Sequence, residues 1–155
     1  MKITAQEEYG LRCLLQLAKA PRGQLLSVKE IAEKEGLSSA YVEKLLRLLS
    51  RAGFVHSVRG VKGGYILNRP ASQLTLGETI RALGRLETTD HICNSYTGKQ
   101  VSCVHFTNCG IRSVWSGLTT YIQAFLNKTT LDTLLDNEYE VSERLGKRLL
   151  PSGSY

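Results

Sequence analysis

Apolar residues at 11, 14, 15 and 18 recur at helical spacing behind Glu7 and Glu8, which predicts an amphipathic helix over residues 4–19 with Thr4 as its N-cap. "APRGQ" breaks that helix. Ser27 then caps a short helix, "VKEIAEKEG", which stops at Gly36. After the brief "LSS" turn, "AYVEKLLRLLSRAG" places positions 42, 45, 46, 49 and 52 on one apolar face and ends at Gly53. Two helices joined by so short a turn form a helix-turn-helix. The next segments, "FVHSV", "RGVKGG" and "YIL", read as strand, glycine-rich turn and strand: a β-hairpin, or wing. "LTLGETIRALG" (74–84) predicts one more short helix closing the winged region.

Further along, "IRSVWSGLTTYIQAFLNK" carries apolar residues at 111, 114, 115, 118, 121, 122, 125 and 126. That is a stripe of about five turns, too wide for a surface helix packed on a single neighbour. Only the first helix approaches it in length. Pairing with a two-fold mate would bury the stripe and present two recognition helices to a palindromic site, so a homodimer is expected. Docking on its own domain is the alternative. "TTLDTLL" predicts one or two further helical turns. From about Asn137 onward the chain lacks caps or a clear period over its last residues, and at least the final stretch is expected to be loosely held. The reading is mainly α with a small β-hairpin wing, divided into a winged helix-turn-helix domain (1–84, its first helix also in the dimer interface), a cysteine-containing loop (85–110), a dimerisation helix with a short following helix (111–136) and a tail (137–155).

The 155 residues suit one domain or a small domain with an appendage, and an apolar fraction of 42% is enough for a packed core. There is no run of about 18 apolar residues to span a bilayer. The N-terminal "MKITAQEEYGLRCLL" lacks the signs of a signal peptide, so a cytoplasmic protein is expected. The net charge is +6, and from Lys44 to Gly77 there are six basic residues and no acid. On charge alone this could be a solvated basic face. Its place on the helix-turn-helix and wing argues for DNA instead: Tyr41, Lys44, Arg47 and Arg51 on the exposed face of the third helix, Arg59 and Lys62 at the hairpin tip. Those groups would meet phosphates and base edges in a major groove and the adjoining minor groove of double-stranded DNA.

Three of the four cysteines fall within "CNSYTGKQVSCVHFTNC", residues 93–109. In a reducing compartment clustered cysteines hold metal more often than they form structural disulfides. An iron–sulfur cluster, zinc and a metal-free thiol switch all remain open at this point. Zinc is disfavoured because the gaps are nine and five residues, longer than structural zinc pairs use. Cys13 stands apart and reads as a small buried hydrophobe. Cys103 and His105 could be imagined as nucleophile and base of an enzyme, but no oxyanion hole or third orienting group accompanies them.

The order of elements and several stretches resemble the iron–sulfur cluster regulator (IscR) family of bacterial winged-helix transcription factors, which includes nitric-oxide-sensing (NsrR-type) and cysteine-metabolism (CymR-type) repressors. The similarity runs from Met1 to about Leu135. It is strongest over "GLSSAYVEKLLRLLSRAGFVHSVRGVKGGYIL", in the wing "SVRGVKGGY" and in "FLNKTTLDTLL". The resemblance implies that Ser38, Ser39, Tyr41 and Glu43 contact bases and phosphates, and that Arg59 and Gly60 enter the minor groove. Ala40 departs from the serine of some members. Cys93, Cys103 and Cys109 would be the counterparts of the cluster ligands, holding a two-iron (2Fe-2S) or four-iron (4Fe-4S) cluster. Where two-iron members carry a histidine this chain has Arg112, and its first cysteine gap is longer than usual. The fourth ligand would then be Glu8, at the place where nitric-oxide sensors use an acidic residue, or less readily His105; His91 is a weaker choice. In a dimer Glu8 could come from the other subunit. The cluster, or its loss, is expected to set operator affinity through the loop between Leu86 and Cys109.

Overall fold

Hydroxyl-capped starts organise the N-terminal half. The computed structural model describes residues 3–60, 62–84 and 93–149. Helix α1 (Ala5–Lys19) begins with a capping box: the Thr4 hydroxyl accepts from the Glu7 amide at 3.3 Å, and the Glu7 carboxylate accepts from the Thr4 amide at 2.8 Å. Helix α2 (Val28–Glu35) opens with the same device from Ser27 and Glu30 and closes on Gly36, whose φ of 66° is left-handed. Helix α3 (Ser39–Arg51) is capped by Ser38, which accepts from the Tyr41 amide. Helix α4 (Leu76–Leu83) starts from a Thr75–Glu78 capping box. The helix-turn-helix and the helix closing the winged region are where the periodicity placed them.

One core joins these elements. Val42, Leu45, Leu46 and Leu49 of α3 pack with Leu14 and Leu17 of α1, Ile31 of α2, and Leu26, Phe54, Val55, Leu74, Leu83 and Leu131. Each such aliphatic side chain contributes about 1.5–3 kcal/mol by leaving water. On α1 the buried face is rotated from the predicted one. Cys13, Leu14 and Leu17 are buried, whereas Leu11, Leu15 and Ala18 are only half-buried. Gly10 explains the rotation: a Cβ there would lie 2.5 Å from Leu83 Cδ1, so α4 approaches along the Gly10 side. Ala52, expected on the apolar face of α3, is exposed as its C-cap.

Strands β1 (Val55–Val58) and β2 (Gly64–Leu67) pair antiparallel, Val55 opposite Leu67 and Val58 opposite Gly64. Leu26 extends the ladder: its amide donates to the Tyr65 carbonyl at 3.1 Å and its carbonyl accepts from the Tyr65 amide at 2.8 Å. The hairpin is thereby hung from the connection that precedes α2.

Helix α5 (Gly110–Lys128) is fixed at its C-terminal end. The Leu76 amide donates to the Thr129 carbonyl and the Leu131 amide to the Leu74 carbonyl, both at 2.8 Å. The rest of its apolar stripe is open: Ile111 is 65% exposed, Val114 64%, Leu118 48% and Tyr121 57%. The described part of the chain therefore does not cover the stripe, against the alternative that α5 docks along its own domain. The expected extra turn is a 3-10 turn, Leu131–Leu134. Beyond it lies α6 (Glu138–Leu149), where the sequence suggested only a tail. The Asn137 side chain accepts from the Glu140 amide at 3.0 Å, Val141 and Leu145, four apart, are half-buried, and the helix contacts the 3-10 turn. Residues 150–155 lie outside the described residues. No helix among the described residues is long and apolar enough to cross a membrane.

Candidate nucleic-acid interface and cysteine loop

Burial of Val42, Leu45, Leu46 and Leu49 fixes which side of α3 faces outward. Ser38, Ser39, Lys44 and Arg47 are exposed there, while Tyr41 and Glu43 are half-buried. Glu43 and Arg47, one turn apart, form an ion pair at 2.6 Å. The Tyr41 ring is held from two sides. It meets the Tyr9 ring edge to face at 6.1 Å between centroids, and the Lys44 ammonium lies 6.0 Å from its centroid. Tyr9 in turn carries the Arg12 guanidinium 5.3 Å from its ring, and Arg12 Nε donates to Glu35 Oε2 at 2.5 Å. That hydrogen bond, more than any other influence, raises the Arg12 pKa further above its already high value. Tyr9 and Arg12 were missed by sequence reasoning. Their only signal is a spacing of three on the polar side of α1.

At the wing tip Arg59, Gly60 and Lys62 are exposed. Gly60 has φ 126°, a conformation that favours glycine, and its carbonyl accepts from the Gly63 amide at 2.9 Å. A Cβ on Gly63 would lie 2.4 Å from the Val58 carbonyl oxygen, so the turn needs glycine there too. His56, exposed on β1, shares a 2.5 Å hydrogen bond between Nδ1 and Asn68 Oδ1, and Asn68 donates to the Gly53 carbonyl. It is a polar wing group that the sequence did not single out. Val61 lies outside the described residues.

The cysteines divide as their spacing suggested. Cys13 is fully buried, and burial pushes its thiol up to about 12. Cys93, Cys103 and Cys109 are half-buried free thiols. Residues 93–95 form a helical turn, the Cys103 carbonyl accepts from the Phe106 amide at 3.0 Å, and Cys109 immediately precedes α5 without capping it through its side chain. Arg112, in the first turn of α5, donates to the carbonyls of His105 at 3.3 Å and Phe106 at 2.6 Å. Glu8, in the first turn of α1, and His105 are both exposed. His91 and the part of the loop from residue 85 to 92 lie outside the described residues.

The family described as Rrf2, iron-dependent transcriptional regulator, matches residues 3–137. The chain belongs to the Rrf2 family. It is 35% identical over 147 residues to the HTH-type transcriptional regulator IscR of Vibrio atlanticus, covering 93% of this chain and 82% of that one. Among solved structures it is similar to CymR (YrzC), the global cysteine regulator of B. subtilis, with a TM-score of 0.71, 31% identity and coverage of 87% and 96% of the two chains. It is likewise similar to T. potens IscR, with a TM-score of 0.67, 28% identity and coverage of 99% and 94%.

This Rrf2 regulator can be tested for its fit to the cluster that its resemblance implies. The donor chemistry fits: three free, partly accessible thiols share one loop, and thiolates are the ligands such clusters take. Among the described residues, no group of three or more His, Cys, Asp or Glu is placed to hold a metal ion. Arg112 adds nothing as a donor, because a guanidinium offers only N–H groups and no lone pair.

Proposed function

We propose that this Rrf2 regulator acts as a homodimer on a two-fold-related site in double-stranded DNA, and that an iron–sulfur cluster in the 93–109 loop sets its affinity. Ser38, Ser39, Tyr41, Glu43, Lys44 and Arg47 would face the major groove, with Arg59, Gly60 and Lys62 at the adjoining minor groove and backbone. Cys93, Cys103 and Cys109 would ligate the cluster, with Glu8 as the fourth ligand in preference to His105. Such a cluster supplies a group that responds to redox state, nitric oxide or iron–sulfur status.

The observation that carries this reading is the position of α5. It begins at the residue after Cys109, bears the open apolar stripe and ends pinned to the residues flanking the start of α4. A second copy covering the stripe would fix the separation of the two recognition helices, so a change in the loop at the head of α5 reaches both at once.

Binding of labelled duplex DNA measured against salt, together with sedimentation, tests the reading. The wild type should sediment as a dimer and bind with a steep salt slope; Arg59→Ala should remain a dimer and lose binding. Undiminished binding by Arg59→Ala would refute the wing's role.

A second reading keeps the same fold and DNA interface but makes the loop a cluster-free thiol switch or a zinc site. It is favoured by the absence, among the described residues, of three converging donors, and by the similarity to a global cysteine regulator.

A further inference from the structure

We infer that Arg112 is a positioning residue that holds Cys103 and Cys109 in one preformed arm fixed to the first turn of α5. The inference rests on the ligand reading above for what the arm binds, but the arm itself is a property of the metal-free chain.

Three contacts converge on one side chain. The Arg112 guanidinium donates to the His105 and Phe106 carbonyls and lies 5.4 Å from the centroid of the Phe106 ring. The Phe106 amide donates back to the Cys103 carbonyl. Cys103 is thus tied to Phe106, Phe106 is tied to Arg112, and Cys109 lies on the chain between the last two. The helix explains why Arg112 can do this. Side chains on a helix lean toward its N-terminus, so a long side chain in the first turn reaches back over the preceding loop.

The choice of side chain matters. Both hydrogen bonds come from Nη2, which leaves the rest of the planar guanidinium against the Phe106 ring, whereas lysine is a point charge with no plane to set against it. Phe106 is 64% exposed, and the guanidinium gives this apolar ring a partner in a region with little core to offer. Cys93, ten residues before Cys103 in the sequence, takes no part in these contacts. The site therefore consists of two pieces: a fixed Cys103–Cys109 arm, and Cys93 with a fourth donor that must come to it. Fixing two of the ligands in advance removes part of the ordering entropy that binding would otherwise cost.

The test begins with reduced, metal-free protein and amide hydrogen exchange followed by NMR. Arg112→Ala should speed exchange of the Phe106 amide on the order of tenfold, with α5 beyond Leu118 unchanged, and Arg112→Lys should restore only part of the protection. Unchanged exchange at Phe106 in Arg112→Ala would overturn the arm. The second readout is cobalt(II) titration followed by its thiolate charge-transfer absorption. Arg112→Ala should bind on the order of tenfold more weakly at the same stoichiometry. Equal cobalt affinity despite faster exchange would overturn the positioning role. If the wild type shows no thiolate charge-transfer band with cobalt, nor after reconstitution with iron and sulfide, the metal-ligand reading of the loop falls, while the exchange measurement still decides whether Arg112 holds the arm.

Discussion

Tyr9 of α1 and Tyr41 of α3 meet edge to face, their ring planes at 84° and their centroids 6.1 Å apart. Through this contact α3 leans on the same turn of α1 that carries Glu8. It also places Tyr41 relative to Lys44 on one side and the Arg12–Glu35 pair on the other. An aromatic pair of this geometry contributes about 0.5–1.5 kcal/mol beyond its buried area. Tyr9→Ala should therefore weaken binding to specific DNA by up to about tenfold, with far-ultraviolet circular dichroism unchanged, while Tyr9→Phe keeps the ring and should bind like wild type. Fluorescence anisotropy on one duplex at fixed salt makes the comparison. Equal affinity for all three proteins would show that Tyr41 needs no support.

The open stripe on α5 leads to a prediction about assembly. Leu118 sits at its middle and is 48% exposed in the single chain, so an added charge there costs the monomer little. Leu118→Glu should fold normally but sediment as a monomer, because burying an unpaired carboxylate at a two-fold contact costs several kcal/mol. A dimer of undiminished stability in this variant would place the interface elsewhere.

Thiol chemistry separates the four cysteines. Cys13 is enclosed in the core and its thiol is pushed up to about 12, so almost no thiolate exists there near neutral pH. Native metal-free protein treated with iodoacetamide and digested for mass spectrometry should carry label on Cys93, Cys103 and Cys109, with Cys13 labelled only after unfolding. Rapid native labelling of Cys13 would contradict the packing of α1.

Acid sensitivity follows from the capping boxes. Glu78 is held below the usual carboxylate range by the Thr75 amide first, then by the Thr75 hydroxyl and by Arg69 and Arg81. Glu30 is held down mainly by the Ser27 hydroxyl. A carboxylate whose pKa is depressed in the folded state contributes stability above its unfolded pKa and loses it as the pH falls through the folded one. Wild-type stability should thus decline as the pH drops below the ordinary carboxylate range. Glu78→Gln should be less stable at neutral pH and show a shallower acid decline. Urea melts at several pH values measure both, and identical pH profiles would remove Glu78 from the account.

Much of the winged half was legible because its signals are local. Thr4 with Glu7, Ser27 with Glu30, and Gly36 mark helix ends through contacts within four residues, and the "RGVKGG" turn announces its own hairpin. The rotation of α1 was not legible, since it depends on Leu83 meeting Gly10 from more than seventy residues away. Helix α6 was missed because its apolar positions are few and its cap, Asn137, follows a run of leucines that already read as helical. In the candidate site, residue types at the helix face and wing tip suggested the set proposed to face DNA, whereas Tyr9 and Arg12 enter only through a tertiary contact. The cysteine spacing pointed to ligand chemistry. It could not show that Arg112 turns back onto His105 and Phe106, a contact set by where α5 starts.

Iron and acid-labile sulfide per protomer, with the visible spectrum, on protein purified without oxygen, test the central claim most directly. The account predicts stoichiometric iron and sulfide with sulfur-to-iron charge-transfer absorption, lost when Cys93, Cys103 or Cys109 is replaced by alanine. A colourless protein that takes up neither iron nor sulfide, even after attempted reconstitution, would contradict it and leave the three thiols to zinc or to a redox switch.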